Sequence, residues 1–187
     1  PSVGRVPSWP EQLGWYTMSV AGPMARTVED LALAMSVMSG PDDRSPIALD
    51  TPGSIFTTPL QRQFKGCKVA YSEDLGGLPI EPEVRKVMQA SRSVFEKLGC
   101  EVVDDEIDLS EAGEIFMLWR AWRTELRISP LMKEHRNQLK DTVIWNAEQG
   151  LDLTGPQLAR AEAKRTEIYH RMREFMSRYE FFVLPVN

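Results

Sequence analysis

Cysteine and histidine are scarce in this sequence, and their scarcity removes several chemistries at once. Cys67 and Cys100 are its only cysteines, His135 and His170 its only histidines. These four residues are not clustered at metal-ligand spacing, and two cysteines make no disulfide framework. Each cysteine opens a predicted strand and reads as a buried, reduced thiol; a bridge between neighbouring strands is the alternative, and it does not suit a reducing compartment. His135, among Lys133, Glu134 and Arg136, reads as a solvated surface group. No apolar run approaches the roughly 20 residues that span a bilayer, so no membrane partner is expected. A formal net charge of −5 leaves no excess of cations for phosphates, which argues against direct nucleic-acid binding. Gly76-Gly77 follows a predicted strand, but there is no G-x-G-x-x-G and no P-loop Lys-Ser/Thr, so dinucleotide binding is not expected. Internal repeats and low-complexity segments are absent as well.

What remains is an ordinary globular composition. With 187 residues, 42% hydrophobic and 26% charged, the chain has enough material for one domain or a large part of one. Its organising stretch is Ser19-Val-Ala-Gly-Pro-Met-Ala-Arg-Thr-Val-Glu-Asp30. Gly22-Pro23 makes a turn, Thr27 is a good N-cap, and Asp30 three residues on has capping-box spacing. Val28, Leu31, Ala32, Met35 and Met38 follow on one face, which predicts a buried helix ending at Gly40-Pro41. Arg26 at its entrance reads as structural, satisfying carbonyls or Asp30, rather than catalytic. Before it, Trp9, Trp15 and Tyr16 sit in a loop rich in proline and glycine. They either line a pocket or cover the edge of a core.

The middle of the chain predicts a βαβ unit at about 66–107. A strand over 66–72 and a second over 100–107 flank a helix that starts at Pro82, ends at Gly99 and carries Val84, Val87, Met88, Ser91, Val94, Phe95 and Leu98 on one face. The strands are expected to be parallel, joined by a right-handed crossover. Beyond them, Ser110 is placed to cap a helix over 111–128 that Pro130 ends. That helix bears Phe116, Trp119, Trp122 and Leu126, with Arg120, Arg123 and Arg127 mostly opposite; the aromatic stripe reads as core or as the wall of a site. A weakly patterned helix is expected over 131–149. Thr154, Pro156 and Gln157 then open what reads as the longest helix, with Leu158, Ala161, Arg165, Ile168, Met172, Phe175, Met176 and Tyr179 facing inward. Phe181-Phe-Val-Leu-Pro185 closes the chain as a buried strand.

The wording of the organising stretch resembles the amidase signature family, which reads roughly S-x-x-G-P-x-A-R-[TS]-V-x-D there. Ser19, Gly22, Pro23, Ala25, Arg26, Thr27, Val28 and Asp30 all match. Pro1-Ser-Val-Gly-Arg-Val-Pro7 looks like the family's stretch just past the nucleophile strand, and the two strands of the βαβ unit are similar to the family's in order and wording. The last strand resembles [YF]-D-x-[LV]-[LV]-x-P, with Glu180 in place of Asp and Val186-Asn187 in place of a Thr-rich continuation. The resemblance covers essentially the whole chain.

It implies an α/β fold with a mixed central sheet flanked by helices, here a partial domain made of a post-nucleophile segment (1–65), the βαβ unit (66–107) and a helical region with the closing strand (108–187). It also implies hydrolysis of a carboxylic amide by a Ser–cis-Ser–Lys triad upstream of this stretch. This chain, read as an internal to C-terminal piece, is then expected to hold no catalytic residue and to be inert alone. No cofactor and no metal are expected. The partners implied are a small-molecule amide, the remainder of the domain and, as an option, a second copy in a homodimer, in the cytoplasm. Helices after the βαβ unit lie near the family's substrate funnel, which makes Trp119 and Trp122, with Trp15 and Tyr16, the substrate-binding candidates. Ser19, Gly22, Pro23, Arg26, Thr27 and Asp30 are the structural motif. The alternatives are a glutamine amidase working within a tRNA-dependent amidotransferase, as its A chain, and a non-catalytic binding or scaffold module.

Overall fold

A computed structural model describes residues 2–185. Pro1, Val186 and Asn187 lie outside the described residues, and so does the departure from the family's wording at the last two. The chain forms two compact units, 1–62 and 63–187.

The first unit is mostly loop around one helix, α1 (Val28–Met38), and a short 3-10 turn (Gly53–Thr57). Thr27 caps α1 as expected, its Oγ1 accepting from the Asp30 N–H at 3.1 Å. The expectation of a buried helix is corrected. Leu31, Ala32 and Met35 are half-buried, no residue of α1 is fully buried, and Val28 and Leu33 are more than 60% exposed. The middle of the expected face is the covered part, while Val28 and Met38 at its two ends are exposed; a unit made largely of loop offers too little surface to cover the whole. Arg26 is likewise exposed rather than buried at the helix entrance.

In the second unit the expected βαβ forms. Strand β1 (Lys68–Tyr71) pairs in parallel with β2 (Glu101–Asp104) across the crossover helix α2 (Pro82–Lys97). A third parallel strand, β3 (Phe181–Val183), adds to the other side of β1, giving the order β2-β1-β3. Every strand pairing among the described residues is parallel. The central position of β1 explains its burial: Val69, Ala70 and Tyr71 are at most 2% exposed. β3 is shallower than its apolar run implies, since it is an edge strand and Phe181 is exposed.

Helices cover both faces of the sheet. On one face Tyr71 meets Phe95 of α2 edge-on, and its hydroxyl donates to the Met88 carbonyl. The buried stripe of α2 is therefore Val84, Met88, Ser91 and Phe95, narrower than expected; Val87, Val94 and Leu98 are exposed. On the other face Ala70, Ile107 and Phe175 form a core joined by Leu109, Met172, Met176, Tyr179 and Phe182. Phe175 and Met172 belong to α5 (Gly155–Met176), whose inward stripe is buried or half-buried at the seven expected positions from Leu158 to Met176; the eighth, Tyr179, is half-buried just beyond the helix end. The capping box is also present: Thr154 accepts from the Gln157 N–H, and Gln157 Oε1 accepts from the Thr154 N–H at 2.8 Å.

Pro130 does not end its helix. α3 runs through it from Ala112 to His135, 24 residues against the 22 of α5, so α5 is not the longest. Proline removes one hydrogen bond to the preceding turn, but α3 packs along α4 (Asp141–Leu151), and packing outweighs local propensity. The expected helix over 131–149 is therefore divided. Its first residues belong to α3, a 3-10 turn (Arg136–Gln138) breaks it, and α4 follows. Ser110 does not cap α3 either; its N–H donates to Asp108 Oδ1 at 2.9 Å, and Glu111 takes the cap position.

Candidate functional site

The aromatic stripe on α3 is the part of the expected site that the fold assembles. Trp119 and Trp122 are half-buried and meet edge to face, their ring centroids 5.3 Å apart at 88°. Arg165 of α5 stands 6.0 Å over the Trp119 ring, and Arg120 stands 5.9 Å over Phe116. The cations of α3 are therefore not simply segregated from its aromatics: Arg120 reaches back one turn to the ring. Phe116 remains 46% exposed, so the ridge is a surface and not the middle of a core.

Beside this ridge, α3, α4 and the entrance of α5 enclose a cleft of about 370 Å³ lined by Met117, Leu118, Trp145, Asn146, Gln149 and Gln157, among others. Asn146 is 3% exposed, and the amide orientation that satisfies it turns Oδ1 to Arg120, where it accepts from Nε and Nη2 at 2.8 Å each. Sequence reading missed this cleft because it depends on the break between α3 and α4. The available signal was a lone Asn between Trp145 and Ala147 in an otherwise apolar turn, a position that demands a polar partner.

Trp15 and Tyr16 lie in the other unit, where Trp15 is 76% exposed and the Tyr16 N–H donates to the Leu13 carbonyl. Ser19, Gly22, Arg26, Thr27 and Asp30 are all exposed, and Pro23 is half-buried. The fold thus brings Trp119 and Trp122 together, and places the remaining candidates on the first unit.

A second recess, polar and of about 840 Å³, opens at the carboxyl ends of β1 and β2, lined by Ser72, Glu73, Asp74, Arg85, Arg92 and Glu106, among others. Ser72 is buried there; its Oγ donates to Glu106 Oε1 at 2.9 Å and accepts from the Leu75 N–H at 2.8 Å. Both bonds hold a turn. Among the described residues no group of three or more His, Cys, Asp or Glu is placed to hold a metal ion, and no helix is long and apolar enough to cross a membrane.

Several aspartates around this end of the sheet are held below the usual carboxylate range. For Asp105 the main cause is the Tyr179 hydroxyl, which donates to it at 2.5 Å, followed by the Glu106 N–H and Arg178. For Asp108 it is Ser110, then Arg171; for Asp74 it is the Gly77 N–H, then Arg85. A carboxylate depressed by folding adds stability above its unfolded pKa of about 3.9 and loses that contribution as pH falls through the folded value. Thermal stability should therefore drop steadily below about pH 4. Tyr179→Phe should flatten that acid slope, because Asp105 then titrates nearer its unfolded value. Melting curves at a series of pH values from neutral to acid check this, and parallel slopes for the two proteins would refute it.

Comparison with known proteins places this architecture. The Amidase family profile matches residues 1–187, and the chain belongs to that family. It is 27% identical to an acylamidase of Rhodococcus erythropolis over 99% of this chain and 39% of that protein. It is 35% identical to the A chain of the glutamyl-tRNA(Gln) amidotransferase of Alkalilimnicola ehrlichii, over 54% of this chain and 21% of that one. Among solved structures, a bacterial aryl acylamidase of the amidase signature family superposes over 100% of this chain and 42% of its own, with a TM-score of 0.80 and 25% identity. The chain thus spans about two fifths of the length of the acylamidases it matches.

Proposed function

We propose that this chain forms part of a hydrolase that cleaves carboxylic amides through a serine acyl-enzyme, with amides bearing an aryl group as the favoured substrates. The observation that carries the reading is the likeness to an aryl acylamidase along the entire chain, whereas the likeness to the amidotransferase covers only about half of it. In this reading the Ser–cis-Ser–Lys segment implied by the family resemblance is not among these residues. The Ser attacks the amide carbon, its proton passes through the bridging Ser to a neutral Lys, the amine leaves, and water releases the acid. That scheme calls for no metal and no organic cofactor.

The contribution of this chain is a wall of the substrate pocket and part of its scaffold. Trp119 and Trp122 offer an apolar, polarisable face suited to an aryl ring; Trp15 and Tyr16 are the corresponding substrate-binding candidates within the first unit. Ser19, Gly22, Pro23, Arg26, Thr27 and Asp30 set the turn and helix entrance next to the nucleophile region. The remainder of the domain is the partner that covers the exposed faces of the first unit, where Met24 is 99% and Val37 80% exposed.

The test is hydrolysis of a panel of aryl, aliphatic and glutamine amides by the full-length polypeptide that carries this chain. Preference for aryl amides supports the proposal. Preference for glutamine, with a second protein co-purifying, would reverse it in favour of the amidotransferase. Trp119→Ala and Trp122→Ala should each lower kcat/KM for aryl amides by about 10- to 100-fold relative to small aliphatic ones. An unchanged ratio would remove the pair from the pocket.

A further inference from the structure

The two cysteines are 33 positions apart in sequence, yet the sheet sets them side by side. β1 and β2 pair in register, Lys68 against Glu101, so the residue before each, Cys67 and Cys100, begins the same row. Hydrogen bonds on both sides of that row hold the alignment: the Gly66 N–H donates to the Gly99 carbonyl, and the Glu101 N–H to the Cys67 carbonyl, each at 2.9 Å. Gly66 and Gly99 both have left-handed φ, +78° and +88°, so two matched Gly-Cys turns deliver the thiols to the same level of the sheet. Both residues are thiols here. Cys67 is 8% exposed and Cys100 is half-buried.

We propose that Cys67 and Cys100 form a reversible redox clamp across the start of the βαβ unit. Neighbouring strands lie ~4.8 Å apart, inside the Cα separation a disulfide accepts. Paired residues of parallel strands project to the same face of the sheet, and the half-buried Cys100 leaves the bond open to reduction again. In the reduced state Cys67 Sγ donates to Glu180 Oε2 at 3.3 Å. Rotation about χ1 releases that bond and turns the sulfur toward Cys100. A hydroperoxide is the oxidant. The more accessible Cys100 attacks its terminal oxygen, the O–O bond breaks, and Cys100 becomes a sulfenic acid while the peroxide leaves as an alcohol or water. Cys67 then attacks the sulfenic sulfur; the S–S bond forms, and the hydroxyl departs with the Cys67 proton as water. Two thiols are oxidised and one peroxide is reduced.

The experiment treats the native, full-length protein with hydrogen peroxide, alkylates what remains reduced, and maps cysteine peptides by mass spectrometry. The expected result is one linked peptide pair, Cys67 with Cys100, lighter than the reduced pair by two hydrogen atoms and reverting to two alkylatable thiols with dithiothreitol. Cys67→Ser should leave Cys100 as a sulfenic acid trapped by dimedone, and Cys100→Ser should leave Cys67 alkylatable after the same treatment. The wild-type mapping needs no variant to fold. Two alkylated thiols after peroxide, oxidation confined to Cys100 in the wild type, or linkage only after denaturation would each overturn the clamp.

Discussion

Phe175→Ala is expected to lower the free energy of unfolding by about 3–5 kcal/mol, the usual range for deleting a buried phenyl ring. Phe175 is 4% exposed and packs against Tyr179 and Phe182 with ring centroids 5.2 and 5.0 Å away. It is the point where α5 touches the sheet, since Ala70 of β1 and Ile107 lie in the same core. Ala70 has no side-chain length to refill the space, and the methionines at 172 and 176 can move into only part of it. Against a typical total stability of about 5–15 kcal/mol, such a loss raises the unfolded fraction by about two to four orders of magnitude. Urea titration monitored by circular dichroism reads the change as a lower midpoint at unchanged slope. A loss under about 1 kcal/mol would mean that α5 is not anchored through this ring.

The fold was legible where local chemistry and packing agree. The capping box at Thr154 and Gln157, the stripe of α5, the parallel βαβ pairing and the Gly99 stop all follow from short-range pattern, and the structure has them. Reading failed at Pro130, where a local rule met a long helix-helix contact. A proline costs a helix one hydrogen bond, and α4 packed alongside returns more than that. It failed in degree at α1 and α2. Periodicity locates the middle of an apolar face but does not say how far coverage extends to its ends and sides, because coverage depends on what lies across from it. No such error of depth arises at β1, whose neighbours on both sides are supplied by this chain.

The candidate site divides in the same way. Trp119 and Trp122 stand three residues apart on a helix, and that spacing alone puts them in reach of each other. Their cation neighbours are another matter. Arg165 comes from a different helix, far along the chain, and no pattern within α3 announces it. Asn146 shows the limit most clearly. A buried carboxamide must find a partner, so the sequence says that one exists; only the packing of α3 on α4 says that it is Arg120.

The same packing makes Gly150→Ala a destabilising change, with an expected net loss of about 1–2 kcal/mol. Gly150 is in the last turn of α4, where a Cβ would lie 2.5 Å from the Ala121 carbonyl oxygen on α3 and closer still to Glu125 Cβ. Ala121 and Ala147 are buried at the same interface, 4% and 0% exposed, so the two helices approach on small residues. The substitution sets two effects against each other. Helix propensity favours alanine by about 1 kcal/mol. The new methyl group collides with backbone, which cannot rotate away, and overpacking of this kind costs about 1–3 kcal/mol or more. At these distances the clash wins. Gly113→Ala on α3 is the control: a Cβ there meets nothing within 4 Å, so the same substitution, in the first turn of its helix, should stabilise by up to about 0.5 kcal/mol. Because both changes alter the unfolded chain alike, opposite signs in urea titrations isolate the contact between α3 and α4. Stabilisation by both would mean that the helices stand further apart than their small residues allow.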